Sequence, residues 1–269
     1  MKVAALQMTS GMDVAENLST AARLLESVAA RGSRLAVLPE NFAFMGRDEA
    51  AKRSIAESPG EGPVQDALAG LAGRLGLTIV AGTLPLRVPG EDRCAAASLV
   101  FGPDGGLQAR YDKIHLFDVD LPGRDEPYRE SVGTVPGRDV VVTEVEGLPV
   151  GLSVCYDVRF PELYRRMAKA GARVFVVPAA FTVPTGEAHW DLLLRARAVE
   201  NLAFVVAAAQ CGAHQNGRRT WGHSLVVDCW GEVLGRLADG EGAIVVDIDA
   251  TRQDDVRSRF PSLSHRALD

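Results

Sequence analysis

Short apolar runs along this chain are separated in two different ways, some by helical segments and some by tight turns. Val3 to Met8 alternates as a strand, and Asp13 with Glu16 resembles a capping box that uses Asp in place of Ser or Thr. Leu18, Ala21, Ala22, Leu25 and Val28 then share one helix face, with Gly32 placed as a C-cap. Leu35 to Leu38 reads as a buried strand closed by Pro39. A helix over Val64–Leu75 precedes a strand over Leu77–Gly82. A helix over Pro161–Ala170, with proline early where its missing N–H does no harm, precedes a strand over Arg173–Val177 closed by Pro178. The spacing also predicts a helix over Glu187–Glu200, strands over Leu202–Ala209, His223–Asp228 and Ala243–Ile248, and an extended tail after Ala250.

Hairpin signals interrupt these units. Cys94–Phe101 and Leu107–Tyr111 flank Gly102-Pro103-Asp104-Gly105-Gly106, and Val140–Val145 can pair with Leu148–Val154 across Glu146-Gly147. Helical crossovers join parallel strands and tight turns join antiparallel ones, so a chain using both is an α/β protein with mixed sheets. The stretch Leu116–Gly137 is rich in Pro, Gly and charge, with little periodicity; a long structured loop of this kind is often functional. Two strand–helix–strand units look alike, one ending in Leu38-Pro39-Glu40 and the other in Val177-Pro178-Ala179, which hints at a duplicated half.

Composition narrows the class of partner. The 269 residues allow one large domain or two small ones and ample core. Net charge is −6, from 29 basic against 35 acidic residues with no basic run, which argues against nucleic acid. The N-terminal apolar stretch is too short for a signal-peptide core, and the longest purely apolar run, Leu202–Ala209, is far short of a membrane span. A cytoplasmic protein is expected, with Cys94, Cys155, Cys211 and Cys229 as free thiols.

Cys155 falls where a buried strand gives way to a helix, in Gly151-Leu152-Ser153-Val154-Cys155-Tyr156-Asp157-Val158-Arg159-Phe160-Pro161-Glu162. That position exposes a side chain at the sheet edge and gathers backbone N–H groups able to bind an oxyanion. A cation nearby would lower the thiol pKa and raise the thiolate fraction. Glu40 ends a strand after Pro39, where partial desolvation would raise its pKa toward acid–base use. Lys113 also follows a strand, in Tyr111-Asp112-Lys113-Ile114-His115-Leu116. Each has a plain structural alternative: a buried cysteine, an exposed loop glutamate, a solvated lysine.

Together these segments resemble the nitrilase superfamily, whose catalytic Glu, Lys and Cys lie on separate segments in this order. Ala188-His189-Trp190, Arg195-Ala196-Arg197-Ala198-Val199-Glu200 and Trp221-Gly222-His223-Ser224 extend the match over nearly the whole chain. The resemblance implies one carbon–nitrogen hydrolase domain over residues 1–269, folded as a four-layer α-β-β-α sandwich of two mixed sheets and assembled at least as a homodimer. It implies Cys155 as nucleophile, Glu40 as proton carrier, and Lys113 with the Tyr156 N–H as oxyanion donors. Glu130 fits a supporting glutamate found in many members, with Glu126 as the rival position.

Within the superfamily, Leu116-Phe117-Asp118-Val119-Asp120-Leu121-Pro122-Gly123 and Ala207-Ala208-Ala209-Gln210-Cys211-Gly212-Ala213-His214 resemble the branch that cleaves deaminated glutathione. The neighbouring omega-amidase branch takes α-ketoglutaramate. A substrate of either kind carries carboxylates, so a pocket cation is expected. Arg159 is the first candidate, against pairing with Glu162 or Asp157, and Thr182 is a further pocket candidate. Acyl transfer to an amine and a catalytically silent binding scaffold are the competing classes; the second fits poorly with an intact Glu40, Lys113 and Cys155. Cys211, His214, His223 and Cys229 are of legal zinc-ligand types, but their spacing matches no common finger, so no metal is expected. His115, His189 and His265 are isolated and read as structural. No Walker A or dinucleotide glycine fingerprint is present, so no cofactor is expected either.

Overall fold

A computed structural model describes residues 1–121 and 127–268. The first elements are β1 (Lys2–Gln7), α1 (Val14–Ala30), β2 (Leu35–Val37), α2 (Pro63–Leu75), β3 (Thr78–Val80), β4 (Leu84–Arg87), β5 (Cys94–Phe101) and β6 (Leu107–Asp112). The middle holds β7 (Asp118–Asp120), β8 (Pro127–Arg129), β9 (Thr134–Val135), β10 (Val142–Val145), β11 (Leu148–Leu152), α3 (Pro161–Lys169), β12 (Val174–Ala179) and α4 (Val183–Asn201). The chain continues with β13 (Phe204–Ala209), β14 (Cys211–Ala213), β15 (Arg219–Trp221), β16 (Leu225–Val227), β17 (Val233–Arg236), β18 (Gly242–Asp247) and α5 (Ala250–Arg259).

These strands form two large mixed sheets. One has eight strands, ordered β18-β1-β2-β3-β5-β4 with β6 and β9 also on β5; the other has six, ordered β10-β11-β12-β13-β16-β17. Along the main path both sheets repeat the same senses. In the first, β1–β2 and β2–β3 are parallel and flanked by antiparallel β18–β1, β3–β5 and β5–β4. In the second, β11–β12 and β12–β13 are parallel and flanked by antiparallel β10–β11, β13–β16 and β16–β17. The likeness of two short sequence units thus extends over both sheets.

Strand periodicity explains the layering. Val3, Ala5, Leu35, Val37 and Val80 point from the first sheet into a core shared with the second, while Ala4, Leu6, Ala36, Leu38 and Ile79 face the other way against α1 and α2. In the second sheet Phe175 meets Tyr164 of α3 edge-on, with ring centroids 5.1 Å apart. Alternation turns the buried Val174 and Val176 toward the first sheet. Helices α3 and α4 cover the outer face, where Trp190, Leu194 and Ala198 are buried. The result is the four-layer α-β-β-α sandwich. Each buried Val or Leu side chain contributes roughly 1.5–3 kcal/mol, so the inter-sheet layer is a major stabilising element.

Local signals act as read. Asp13 accepts the N–H groups of Ala15 (2.8 Å) and Glu16 (3.0 Å) to start α1. Gly32, at φ +82°, turns the chain out of it. Three expectations are corrected. Pro178 does not close its strand but lies within β12. Its missing N–H is harmless because β11 stops pairing at Leu152–Val176, so the position on that side has no ladder partner to lose. Leu202 is the left-handed cap of α4, so β13 begins at Phe204. The segment after Ala250 is a helix capped by Asp249; its periodicity is hidden because only Gln253 is buried. That side chain reaches the carbonyls of Arg173 and Leu202, each at 2.9 Å. Among the described residues no helix is long and apolar enough to cross a membrane.

Candidate active site

The parallel strands of both sheets end on the same side, the usual place for a site in such sheets. The sheets are tied there. The Met8 N–H donates to the Ala209 carbonyl (3.4 Å) and the Cys211 N–H to the Met8 carbonyl (2.9 Å). The buried Gln210 side chain donates to Ser10 Oγ (2.8 Å) and to the Glu40 carbonyl (3.0 Å).

Glu40 follows β2 directly. The backbone there is crowded: a Cβ on Gly82, at φ +45°, would stand 1.9 Å from the Pro39 carbonyl oxygen. Glycine is required at that approach. Lys113 follows β6, held by its N–H to the Ala96 carbonyl (3.0 Å) and its own carbonyl to the Gly137 N–H (2.8 Å). Its ammonium donates to Glu40 Oε1 (2.8 Å) and to both oxygens of Glu130 (2.9 and 2.8 Å). Glu130 is fixed in turn by the Phe117 N–H at 2.7 Å. All three side chains are buried. The long loop therefore does bring a second glutamate to the lysine. Glu126, the rival position, lies outside the described residues.

Cys155 comes next after β11 and Ser153-Val154, at φ +49°. A left-handed non-glycine residue costs on the order of 1–3 kcal/mol and persists only where its surroundings enforce it. Here the enforcing group is Asp157, fully buried, whose carboxylate accepts the Val154 N–H (2.8 Å), the Tyr111 hydroxyl (2.6 Å) and the His115 N–H (3.0 Å). His115 Nδ1 adds a contact at 2.7 Å, and its ring stacks on Phe160 with centroids 3.7 Å apart. The turn presents the thiol to the Glu40 carboxylate, with which it shares a hydrogen bond, and to the Ala180 N–H at the end of β12.

The electrostatics differ from the sequence-based expectation. Burial, together with the Glu40 carboxylate, pushes the Cys155 thiol well above its ordinary range, and the Lys113 ammonium does not offset them. The cysteine is therefore held as a thiol. Glu40 is corrected in the opposite sense. Burial alone would raise it, but the Lys113 ammonium beside it holds the carboxyl below its usual range. Burial would likewise lower Lys113, yet Glu130 and Glu40 outweigh it and hold the ammonium well above its ordinary value. A charged carboxylate thus faces a neutral thiol, the arrangement needed for proton transfer during attack.

The three side chains line a pocket of about 490 Å³ that is open to solvent, with Tyr156, Arg159 and Thr182 on its walls. Every described candidate from the sequence is thus brought to one place. Arg159 pairs with neither Glu162 nor Asp157. Its Nη1 lies 3.1 Å from His189 Nδ1, and its guanidinium sits over the rings of Tyr156 (5.8 Å) and Phe181 (5.2 Å). Thr182 Oγ1 is 2.8 Å from Thr185 Oγ1. Sequence reasoning missed Asp157, Tyr111, His189, Thr185 and Arg218. His115, read as structural, holds Asp157, and His189 contacts Arg159.

The zinc-type residues are dispersed. His214 lies between the Ser10 carbonyl (2.9 Å) and Thr220 Oγ1 (2.7 Å), and His223 Nδ1 contacts the Trp221 carbonyl (2.7 Å). Among the described residues no three His, Cys, Asp or Glu side chains gather as a metal-binding group.

A family model described as carbon–nitrogen hydrolase matches residues 2–257. The deaminated glutathione amidase of Yersinia enterocolitica is 41% identical to this chain, over 98% of it and 92% of that protein. The omega-amidase NIT2 of Danio rerio is 36% identical, over 100% of the chain and 95% of that protein. The crystal structure of the C. elegans NitFhit protein superposes with a TM-score of 0.92 at 35% identity, over 99% of this chain. This chain spans 65% of that longer protein. Fold, site and sequence agree: the chain belongs to the carbon–nitrogen hydrolase family, within the nitrilase superfamily, and is an enzyme of that class.

Proposed function

We propose that this chain is an amidase that hydrolyses deaminated glutathione to 2-oxoglutarate and cysteinylglycine through a thioester on Cys155. The observation that carries the chemistry is the Glu40 carboxylate, buried and hydrogen-bonded at once to the Cys155 thiol and the Lys113 ammonium. Glu40 takes the thiol proton as sulfur attacks the amide carbon. The carbonyl oxygen becomes an anion facing the Lys113 ammonium and the Tyr156 N–H. Glu40 then gives its proton to the amine nitrogen, the C–N bond breaks, and cysteinylglycine departs. Water attacks the thioester while Glu40 removes its proton, and return of that proton to sulfur frees 2-oxoglutarate. Glu130 accepts from Lys113 and is itself held by the Phe117 N–H, so its role is to fix the ammonium.

The substrate assignment is supported by the higher identity to the deaminated glutathione amidase than to the omega-amidase, and by the pocket residue Arg159, which has no carboxylate partner among the described residues. The whole chain acts as one domain in this account, since both sheets share one core. A homodimer or larger assembly is supported by the exposed Leu192, Val199, Trp230 and Phe260 on and beside α4 and α5, an apolar area beyond scattered single residues. A cytoplasmic setting is supported by four cysteines that are all free.

The test follows 2-oxoglutarate release from deaminated glutathione and, separately, from α-ketoglutaramate, for wild type and Cys155→Ala. Preference for deaminated glutathione, with a loss of about 10⁴-fold or more in the variant, is the expected result. Preference for α-ketoglutaramate would keep the mechanism and replace the substrate. Full activity of Cys155→Ala would overturn the mechanism.

A further inference from the structure

The pocket over Cys155 opens into a wider outer groove of about 1110 Å³ that shares Asn41, Glu49, Lys52, Tyr128, Arg129 and Arg218 with it. Three of these carry positive charge. Lys52 is paired with Glu49 at 2.6 Å, and Arg129 with Asp120 at 2.8 Å. Arg218, on the turn between β14 and β15, has no carboxylate partner among the described residues. Its guanidinium lies over the Tyr128 ring, 5.4 Å from the centroid. One Nη2 contact reaches the Ala180 carbonyl at 3.3 Å, and the buried Nε has no partner. The N–H of that same Ala180 points at the Cys155 sulfur. A single residue, Ala180, therefore lies between the guanidinium and the nucleophile.

Arg159 lines the inner pocket and not the outer groove. With its scissile carbonyl at Cys155, a substrate can lay its acyl portion beside Arg159, which lines the pocket alone. Its leaving group must pass outward, beside Arg218. We propose that Arg218 is a specificity residue, holding a carboxylate on the leaving-group side of the scissile amide while Arg159 takes the carboxylate of the acyl portion. This rests on the substrate proposed above, whose dipeptide leaving group ends in a carboxylate. A planar guanidinium with spare donors binds that group bidentately, and an aromatic ring beneath it fixes its plane. An amide whose leaving group is ammonia offers Arg218 nothing, so this arginine separates two substrates with the same acyl portion.

The experiment measures kcat/KM of wild type, Arg218→Met and Arg218→Lys on three compounds. These are deaminated glutathione, its derivative with the glycine carboxylate capped as a primary amide, and α-ketoglutaramate. Wild type should favour the free carboxylate over the capped form by about 10–100-fold, the range for hydrogen bonds to charged groups. Arg218→Met should erase that preference, with a far smaller loss on the other two compounds, and Arg218→Lys should retain part of it. A merely structural arginine would lower all three rates together; that result, or an undiminished preference in Arg218→Met, overturns the assignment. Failure of the substrate itself looks different: wild type would turn over α-ketoglutaramate and neither dipeptide amide, and the role of Arg218 would fall with it.

Discussion

The two halves of the molecule share a framework and divide the chemistry. Both sheets run through the same series of parallel and antiparallel pairings, and both central strands reach the site near a proline. After β2 the chain offers Glu40; at the corresponding end of β12 it offers the backbone N–H of Ala180. The first half, with the loop that follows it, supplies Glu40, Lys113 and Glu130. The second supplies a neutral thiol on a strained turn, a backbone donor and the pocket arginine Arg159. One scaffold thus accommodates both because strand ends set where a side chain stands, while burial and neighbours set what it does.

Removing charge from the first half should show that division most strongly. Glu40→Gln is expected to lower kcat by about 10³-fold, within the range for general acid–base groups. The same change removes the carboxylate that pushes the Cys155 thiol upward and leaves Lys113 in place. The thiol should then ionise at lower pH than in wild type, even as turnover collapses. Thiolate absorbance followed across pH reads this directly. An unmoved thiol titration in the variant would mean that burial alone sets it.

A smaller effect is expected in the second half. Arg159→Ala should cost about 10–100-fold in kcat/KM on the acidic substrate, the scale of a charge-assisted hydrogen bond, with little change in thermal unfolding. Unchanged kcat/KM would remove Arg159 from substrate binding and leave its contact with His189 as its role.

The smallest effect concerns stability. The Glu40 carboxyl is held below its unfolded value of 4.5, so its contribution is present above that pH and is lost as pH falls through the folded value. The stability difference between wild type and Glu40→Gln should therefore shrink on acidification below about 4.5. A difference that stays constant down to strong acid would show that the ion pair with Lys113 adds nothing to folding.

The strand-end placement of Glu40 and Cys155 was legible in the sequence because an apolar run followed by Pro39-Glu40 or by Cys155 is a local pattern. The mixed sheets were legible from helices and turns that each demand one strand sense. The ionisation states were not. Whether Lys113 or Glu40 dominates the thiol depends on distances and burial, which spacing does not carry. Asp157 reads in the sequence only as a candidate partner of Arg159, because only the fold brings Tyr111 and His115 to it. Arg218 was missed for a similar reason, since the turn that carries it is remote in sequence from Tyr128 and Ala180. The helix after Ala250 escaped because a polar helix docked through one glutamine leaves no apolar stripe to read.

The proposed acid and the proposed nucleophile never share a sheet: Glu40 hangs from one slab and Cys155 from the other. Their separation is therefore a gauge of how thick the apolar filling between the slabs is. Valines such as Val37 and Val176, which do not line the pocket, act as spacers whose size sets a reaction distance. Trimming one would thin or loosen the stack before it emptied the pocket, and the fault would register first as slow proton transfer in a protein that still binds its substrate.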